Sequence, residues 1–371
     1  MDRSVFRERL DTLRKRLKRR APDTLWISQP ENRRYLSGFK AADVQLNESA
    51  GFLLITCDQA LLLTDSRYTT EAREQAPDFQ VVTLTADFVK SLPGILSHLG
   101  TRKLGFEADY VLWGLQRRVS LALKKMDPPI RLLPVHALVE RMREVKSGQE
   151  LAAMARASDI MGEILDQVIP RMHQGRTESE VAWEIQGLAR EAGVEGMAFP
   201  PIVASGPNGA LPHAVPSQRR IQAGEPVVVD VGVRIDGYCC DLTRTVFPGG
   251  EPKGRFLDVY RTVRRAQRAA LEAVRPGVET AFLDGLARKI IRDAGYGDYF
   301  GHALGHGVGL AAHESPRVGP LKPKKLRPGM VITVEPGIYI PGQGGVRLEE
   351  MVAVKRNGPR VLTRVGHFYD V

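Results

Sequence analysis

One aspartate inside a run of valines constrains the fold of this chain more than any other feature. Residues 226–247 read PVVVDVGVRIDGYCCDLTRTVF, and Asp230 stands among the valines of this segment. Valine runs of this kind are typical of a strand that is covered on both faces. A carboxylate buried there without a partner costs several kcal/mol or takes up a proton. The fold must therefore give Asp230 a salt bridge, a hydrogen bond or a metal ion.

A turn in the same segment places a second acid beside the first. The Asp-Gly dipeptide at 236–237 favours a two-residue hairpin turn. This turn pairs residue 230 with residue 243, so that Asp230 and Asp241 become diagonal neighbours on one face, about 7–8 Å apart at the backbone. Gly232, opposite Asp241, leaves the space between the two side chains open. Like charges so placed repel each other unless a cation lies between them.

A second ribbon brings two more acids together. In VITVEPGIYIPGQGGVRLEEMVAV, Glu335 ends an apolar run and Glu349 lies in the returning strand. Their midpoint, residue 342, falls inside the loop PGQGG, so an odd-length loop sets the two glutamates opposite each other. Strand alternation puts Arg347 on the face of Glu349 and Glu350 on the other face. The two ribbons together predict four converging carboxylates.

Histidines between the ribbons extend the pattern toward metal chemistry. The segment GHALGHGVGLAAHE presents His302, His306 and His313. Several carboxylates with an imidazole are typical of a two-metal site, whose bridging acids hold divalent ions about 3.5–4 Å apart. Oxygen-rich ligation favours Mn²⁺ and also suits Co²⁺, Fe²⁺ or Zn²⁺. Each residue taken singly can instead be a hydrogen-bonded acid or a packed histidine, but the joint pattern favours two divalent ions per chain.

Short apolar runs alternate with helical stretches from residue 21 to about 135, which predicts an α/β domain. The helical stretches lie at 68–76, 86–99 and 109–125. A proline-rich passage, KMDPPIRLLP, leads out of this domain, and Ser147 is the expected N-cap of the long amphipathic helix that follows. We place an N-terminal domain at 1–137 and a second domain at 138–371.

The second domain repeats one architecture without repeating its sequence. Two helical stretches precede each ribbon: 148–170 and 177–193 come before the first, and 253–275 and 279–294 come before the second. Two such halves can face each other across a pseudo-twofold axis with their helices outside. This arrangement concentrates the inward side chains of both ribbons at one place.

The net charge of +10 is concentrated at the N-terminus. Residues 1–20 hold nine Lys or Arg against three Asp or Glu, a net of +6. Phe6, Leu10, Leu13 and Leu17 recur there at helical spacing. We therefore expect this basic helix to pack through one apolar stripe with its charged face in water. Contact with a polyanion or a subunit interface is the less favoured alternative, and nucleic acid is not an expected partner.

The sequence favours a cytoplasmic protein without a membrane anchor. No stretch approaches the roughly 18 apolar residues of a membrane span, and MDRSVFRERL lacks the apolar core of a signal peptide. Cys57, Cys239 and Cys240 are odd in number, which suits a reducing compartment better than a disulfide framework.

Several of these segments carry a family resemblance. LPHAVPS, IQAGEPVVVDVGVRIDGYCCDLTRT, HALGHGVGLAAHE, RPGMVITVEPGIYI and GVRLEEMVAV resemble the metallopeptidase family of aminopeptidase P, prolidase and methionine aminopeptidase. This resemblance covers residues 148–371 and implies the pita-bread fold. RRYLSGF and LLLTDSRYTTEA resemble the creatinase-like N-terminal domain of the proline-directed members. The fold class implied is α/β (α+β), a creatinase-like domain followed by a pita-bread catalytic domain with two pseudo-twofold-related halves.

The resemblance implies a role for each acid. It makes Asp230 the two-oxygen ligand of one ion and places His306 and Glu335 on the other ion. Asp241 and Glu349 match the residues that bridge both ions. The resemblance also implies that Glu335 carries the proton from water to the leaving nitrogen, which requires a carboxylate beside the nucleophile.

Further residues match family positions that contact substrate. His213, His302 and His313 match histidines that orient substrate and stabilise the tetrahedral intermediate. Arg347 matches an arginine that can fix the bridging glutamate and contact substrate. Cys240 stands where a serine is common, and hairpin alternation turns it away from the neighbouring aspartate, so we expect a packed core thiol.

All five ligand positions are filled, so the resemblance implies an active enzyme rather than a relative that lost its metal. We expect an exopeptidase that releases the N-terminal residue from short peptides with proline in second position, an Xaa-Pro aminopeptidase. The alternatives are an Xaa-Pro dipeptidase (prolidase) and a non-catalytic peptide or nucleic-acid binder. Proline specificity and a homodimer are implied by the resemblance alone.

Overall fold

The computed structural model describes residues 3–19, 21–43, 45 and 47–370. The chain divides into two compact units, Met1–Arg143 and Glu144–Val371. Each unit contains its own β-structure.

A six-stranded mixed sheet forms the first unit. Its strands are β1 (Thr24–Ile27), β2 (Phe52–Ile55), β3 (Ala60–Thr64), β4 (Gln80–Thr83), β5 (Lys103–Glu107) and β6 (Arg131–Val135), in the order β4-β3-β2-β1-β5-β6. Strand β1 pairs antiparallel with β2 and parallel with β5. The helices are α1 (Arg3–Leu17), α2 (Pro30–Ser37), α3 (Thr69–Gln75), α4 (Phe88–His98), α5 (Trp113–Lys124) and α6 (Glu140–Arg143). The α/β domain expected from the alternation is therefore confirmed.

The edge strand β6 lies in the proline-rich passage that was expected only to lead out of the domain. It pairs parallel with β5, and Pro134 stands opposite Phe106. A proline is tolerated here because β6 has a neighbour on one side only, so its missing N–H need not complete a second ladder. The two prolines at 128–129 hid this strand from pattern analysis.

The basic helix α1 packs through its apolar stripe, as expected, but not all of its charges are in water. Leu10, Leu13 and Leu17 are buried. Arg9 is only 6% exposed, and its guanidinium donates a hydrogen bond to the carbonyl of Tyr35 at 2.9 Å. The same guanidinium lies 3.9 Å from the centre of the Tyr35 ring. The solvated-face interpretation is thus wrong for Arg9, which the tyrosine ring and carbonyl draw inward.

Other charges of this segment follow the expectation. Lys15, Lys18 and Arg19 are exposed. Arg7 is exposed and pairs with Asp78 at 2.7 Å. Asp2 and Arg20, which belong to the predicted basic segment, lie outside the described residues.

Four long helices and two ribbons build the second unit. The helices are α7 (Gly148–Val168), α8 (Glu178–Glu191), α9 (Arg255–Ala273) and α10 (Thr280–Asp293). The strands are β7 (Gly196–Met197), β8 (Ile202–Ser205), β9 (Val227–Val231), β10 (Val233–Ile235), β11 (Tyr238–Cys239), β12 (Leu242–Val246), β13 (Gly305–Gly307), β14 (Glu314–Val318), β15 (Val331–Val334), β16 (Gly337–Ile340), β17 (Gly344–Arg347), β18 (Glu350–Lys355) and β19 (Gly358–Val361). Ser147 caps α7 in a capping box with Glu150, as expected.

The first ribbon has the register that its turn predicted. Asp230 on β9 faces Thr243 on β12, and Asp236 and Gly237 form the two-residue turn between β10 and β11. Both turn residues have positive φ, 50° and 84°, as a type I′ turn requires. The ribbon bends at Gly232, where a Cβ atom would lie 2.1 Å from the carbonyl oxygen of Cys240. Only glycine fits this close approach.

The second ribbon also has the predicted register. Val334 on β15 faces Glu350 on β18, and Gly337 on β16 faces Arg347 on β17. The ribbon changes sheets between these two pairs, because β15 and β18 belong to a five-stranded sheet and β16 and β17 form a two-stranded one. Helices α9 and α10 bury their apolar faces against this ribbon in one cluster that includes Val263.

Among the described residues, no helix is both long enough and apolar enough to cross a lipid bilayer.

Candidate metal centre

Two aspartates of the first ribbon lie at its bend. Asp230 occupies the end of β9, and Asp241 directly precedes β12. Both side chains are largely enclosed, with 14% and 6% of their surface exposed. Asp230 pairs with Thr243 in the β9–β12 ladder, and Asp241 lies directly beyond the last pair of that ladder, Leu242 and Val231. The sequence predicted this meeting of two acids from the turn alone.

Two glutamates occupy the corresponding bend of the second ribbon. Glu335 follows β15 and Glu349 precedes β18, where the ribbon changes sheets. The hydroxyl of Thr333 donates to Glu335 Oε1 at 3.0 Å, and the hydroxyl of Thr243 donates to Glu349 Oε2 at 2.7 Å. Each threonine thus fixes one glutamate and leaves its second oxygen for another partner. Neither threonine was singled out in the sequence.

His306 brings an imidazole to these acids from strand β13. Its Nδ1 lies 3.0 Å from the carbonyl oxygen of Gly307, so Nδ1 donates to that carbonyl and Nε2 faces the acids. Nε2 lies 3.7 Å from Asp241 Oδ2 and 3.3 Å from Glu335 Oε1. Ligand atoms of Asp241, His306 and Glu349 all lie within 4.8 Å of one another. This group can hold a metal ion.

The buried carboxylates repel one another. Burial raises the pKa of Asp241 well above its usual range, and the charges of Glu349 and Asp230 raise it further. Burial also raises the pKa of Glu349 well above its usual range, and Glu335 adds to this effect. Two acids in this state need either protons or a cation to be stable.

Glu335 differs from the other acids because His306 lies beside it. Burial by itself raises the pKa of Glu335, but the hydrogen bond and the charge of His306 outweigh burial and hold this pKa at about 2. For His306 burial by itself lowers the pKa, and the interaction with Glu335 outweighs burial and raises it. Glu335 is therefore a carboxylate at neutral pH.

Two oxygens of this site fit a metal ion rather than a protein partner. Asp230 Oδ1 and Glu349 Oε1 are buried and have no hydrogen-bond partner in the described part of the chain. A buried polar atom without a partner costs about 1–3 kcal/mol. Oxygen donors with one imidazole are the ligand types of divalent ions such as Mn²⁺. The donor set and the two unpaired oxygens therefore fit the divalent ions that the sequence predicted.

Arg347 contacts Asp230 directly and Glu349 through a threonine. Its Nη2 donates to Asp230 Oδ2 at 2.7 Å, a contact that the sequence did not predict. The hydroxyl of Thr243 accepts from Arg347 Nε at 3.2 Å and donates to Glu349, the glutamate beside which the resemblance placed the arginine. The threonine stands between the arginine and the glutamate. Arg347 thus fixes Asp230.

Tyr339 links two of the predicted residues and was missed in the sequence. Its hydroxyl lies 2.8 Å from Nε2 of His302 and accepts from Arg347 Nη1 at 3.0 Å. Burial raises the pKa of Tyr339 to about 12, so the hydroxyl keeps its proton. The available signal was its place in β16 opposite Gly345, which leaves room for a large polar side chain.

The three other histidines that the sequence singled out, His213, His302 and His313, lie near the acid cluster. The rings of His313 and His306 are 4.2 Å apart. Burial lowers the pKa of His313, and the charges of His306 and then His213 act in the same direction. His302 is mostly buried, and burial lowers its pKa. The rings of His302 and His313 can therefore act as neutral hydrogen-bonding groups near the acids.

His213 lies on an exposed loop that reaches the site through its neighbour. The carbonyl oxygen of Pro212 accepts from Arg347 Nη1 at 3.2 Å.

Cys240 takes no part in the site: its thiol is fully buried, accepts from the N–H of Val233 at 3.2 Å, and has its pKa raised by burial. This environment matches the packed core thiol that the sequence predicted.

Comparisons with known proteins match both parts of the chain. Metallopeptidase family M24 matches residues 152–356, and the Creatinase/Prolidase N-terminal domain matches residues 9–145. An Xaa-Pro dipeptidase of Pyrococcus horikoshii is 35% identical over 365 residues, which are 97% of this chain and 98% of the relative.

Two solved structures of other proteins are similar to this chain over nearly its whole length. The structure of an Xaa-Pro dipeptidase from Bacillus anthracis is similar with a TM-score of 0.91 and 33% identity, over 98% of this chain and 99% of the other. The structure of an X-Pro aminopeptidase from Thermotoga maritima is similar with a TM-score of 0.85 and 35% identity, over 96% and 98% of the two chains.

Proposed function

This chain belongs to metallopeptidase family M24 and carries a creatinase/prolidase N-terminal domain, and from that premise we propose that it is a dinuclear Xaa-Pro dipeptidase. The fold class and the family inferred from the sequence are confirmed. The sequence favoured an Xaa-Pro aminopeptidase over an Xaa-Pro dipeptidase. We now put the dipeptidase first, because relatives named as Xaa-Pro dipeptidases match over nearly the whole chain. Xaa-Pro aminopeptidase activity is the second candidate, favoured by the similarity to the Thermotoga maritima protein.

The observation that carries the hydrolytic chemistry is the enclosed set of four carboxylates with His306. We assign Asp241, His306 and Glu349 to the metal centre and add Asp230 and Glu335 as further ligands. The unpaired oxygens of Asp230 and Glu349 support this assignment. We propose two divalent ions, with Mn²⁺ preferred and Co²⁺, Fe²⁺ or Zn²⁺ as alternatives.

When bound, such ions supply a nucleophilic hydroxide at neutral pH and polarise the scissile carbonyl. Glu335 receives the proton of the attacking water and passes it to the leaving nitrogen. Its hydrogen bond from Thr333 supports this role, because the group that takes the proton must be held in place beside the water. Thr333 also accepts from the backbone N–H of His306 at 3.0 Å, so one hydroxyl aligns base and imidazole.

The remaining side chains hold the substrate and the developing charge. We assign His213, His302 and His313 to substrate orientation and to stabilisation of the tetrahedral intermediate. Arg347 fixes Asp230 and is linked to His302 through Tyr339. This chain of contacts couples the metal side of the site to its substrate side.

We also propose short proline-containing peptides as substrates, a homodimer as the assembly and the cytoplasm as the location. Support for the location comes from the sequence, because Cys57, Cys239 and Cys240 are odd in number, which suits a reducing compartment.

A four-peptide panel tests the proposed function. The protein is reconstituted with Mn²⁺, Co²⁺ or Zn²⁺ and assayed with Ala-Pro, Ala-Pro-Ala, Met-Ala-Ser and Ala-Ala-Ala. A dipeptidase cleaves Ala-Pro with the highest kcat/KM, whereas an aminopeptidase prefers Ala-Pro-Ala. Preference for Met-Ala-Ser would move the chain to methionine aminopeptidase activity. No turnover by protein shown to contain metal would support the non-catalytic binder.

A further inference from the structure

A buried glutamate outside the metal centre closes the loop that carries His213. Glu178 is the first residue of helix α8 and has no exposed surface. The loop runs from Ser205, at the end of β8, to Ser217, and we call it the His213 loop. No sequence argument singled out Glu178, because a glutamate at the start of a helix is common.

Among the described residues, the six hydrogen bonds of the Glu178 carboxylate all come from the His213 loop. Oε1 accepts from the N–H of Ser205 at 2.7 Å, from the hydroxyl of Ser205 at 2.7 Å and from the amide of Asn208 at 3.1 Å. Oε2 accepts from the N–H of Ser217 at 3.0 Å, from its hydroxyl at 2.6 Å and from Asn208 at 3.0 Å. One side chain thus joins the first and last residues of the loop.

The surroundings require a group that only accepts. Arg219 donates from Nη1 to the hydroxyl of Ser205 at 2.6 Å and from its N–H to the hydroxyl of Ser217 at 3.1 Å. Both hydroxyls therefore have their own hydrogens free to point at Glu178. An ionised carboxylate accepts in about four directions, whereas a glutamine offers one oxygen and two donor hydrogens. A glutamine at this position would point its own N–H groups at the donor N–H and O–H groups of the loop.

The middle of the same loop is tied to the metal centre. Pro212, next to His213, accepts from Arg347, and Arg347 pairs with Asp230. The loop is thus fixed at its ends by Glu178 and near its tip by Arg347. His213 itself is exposed, so its position depends on these anchors rather than on packing.

We propose that Glu178 is a positioning residue that fixes His213 relative to the metal centre. The claim rests on the proposed function, in which His213 contacts substrate. It adds a residue that touches neither metal nor substrate but sets the geometry of one that does. A displacement of about 1 Å in a substrate-orienting group lowers rates by about 10²-fold.

A double-mutant cycle tests the coupling between the two residues. Four proteins are compared with Ala-Pro and Mn²⁺: wild type, Glu178→Gln, His213→Ala and the double variant. Glu178→Gln is expected to lower kcat/KM at least about tenfold in wild type but less than about threefold when His213 is already absent. A general loss of structure would act in both backgrounds, so an equal loss in the two backgrounds overturns the proposal.

Controls separate positioning from damage to the fold or to the metal site. Glu184→Gln is a matched change on the same helix, because Glu184 pairs with Arg171 and Arg176 and not with the loop. This variant should keep wild-type kcat/KM. Metal content of Glu178→Gln should equal that of wild type. If Glu178→Gln does not fold, Ser217→Ala removes one of the six contacts and is carried through the same cycle.

Amide hydrogen exchange gives a readout that does not need peptidase activity. The N–H groups of Ser205 and Ser217 both donate to Glu178, and both should exchange faster in Glu178→Gln than in Glu184→Gln. If both amides exchange as slowly in Glu178→Gln as in Glu184→Gln, the positioning role is refuted, whatever the peptidase activity of the variant. If the wild type hydrolyses none of the peptides, the proposed function fails while faster exchange still supports loop anchoring by Glu178.

Discussion

Arg347 and Asp230 form a buried ion pair with nitrogen and oxygen 2.7 Å apart. Oδ2 of Asp230 accepts this hydrogen bond, and the other oxygen, Oδ1, has no hydrogen-bond partner among the described residues. The pair therefore orients the aspartate: one oxygen is held by the arginine and the other is presented to the acid cluster. Tyr339 and Thr243 hold the guanidinium in turn.

Arg347→Lys should weaken this orientation while keeping the charge. A lysine has no planar fork and cannot reach Asp230, Tyr339 and Thr243 in the same geometry. We expect kcat/KM to fall by about tenfold or more, together with weaker Mn²⁺ binding measured by calorimetry. Arg255→Lys, at an exposed arginine that contacts Gln343, is the matched control and should behave like wild type. A wild-type Mn²⁺ affinity in Arg347→Lys would contradict the orienting role.

The protein should bind two divalent ions per chain. Elemental analysis after reconstitution with Mn²⁺ should give two ions, and EDTA should abolish activity, because the enclosed carboxylates need cations. Asp241→Ala should lower occupancy of both sites, since a bridging ligand serves both. Full activity of metal-free protein would refute a metal-dependent mechanism.

Glu335→Gln should lose the proton transfer but keep an oxygen near the metal centre. General acid/base catalysis contributes about 10²–10⁴-fold, and kcat should fall by that factor. Metal content is measured on the same sample, so that lost chemistry is distinguished from a lost ion. A fully metallated variant within about tenfold of wild-type kcat would assign the proton transfer to another residue.

Neutralising the exposed part of helix α1 should be mild. Replacement of Arg14, Lys15, Lys18 and Arg19 by Gln should leave peptide turnover near the wild-type value. Three of these side chains are exposed, and the contacts of Arg14 with the carbonyl of Thr56 and, at 3.9 Å, with Asp11 lie on the first unit, whereas the acid cluster belongs to the second. Arg9→Gln should instead destabilise the first unit in a denaturant titration. Sub-micromolar binding of duplex DNA in physiological salt would contradict the solvated-face interpretation.

Glu107 should make the first unit less stable as the pH rises. Burial raises the pKa of this carboxyl from 4.5 to about 7, although Asn32 and the N–H groups of Ser28 and Gln29 donate to it. The folded state then binds a proton that the unfolded state has lost, so stability is full below about pH 4.5 and falls as the pH rises to about 7. The loss is on the order of 3 kcal/mol.

The measurement for Glu107 is denaturant unfolding of wild type and Glu107→Gln between pH 5 and about 8, followed by the fluorescence of the first unit's tryptophans. Glu107→Gln cannot titrate, so its unfolding free energy should lose this pH dependence. Parallel pH dependences of the two proteins would show that Glu107 does not titrate in this range.

Short-range rules were enough to determine the ribbons and the acids on them. Asp236 and Gly237 accept positive φ, so they fix the turn, and the turn fixes which residue faces Asp230. The loop PGQGG does the same for Glu335 and Glu349. Strand pairing has a period of two residues, so one turn decides the face of every side chain on its ribbon. Four converging carboxylates could therefore be predicted from sequence.

Tertiary structure alone decided which partners complete the site. Thr243 and Arg347 come from different ribbons, 104 residues apart, and their contact links the arginine to Glu349 while its Nη2 binds Asp230. Glu178 finds the five donor groups of its six hydrogen bonds on a loop that begins 27 residues later in the chain. Strand β6 exists because an edge position tolerates proline. No periodic pattern contains these contacts, because each depends on where packing places side chains that are distant in sequence.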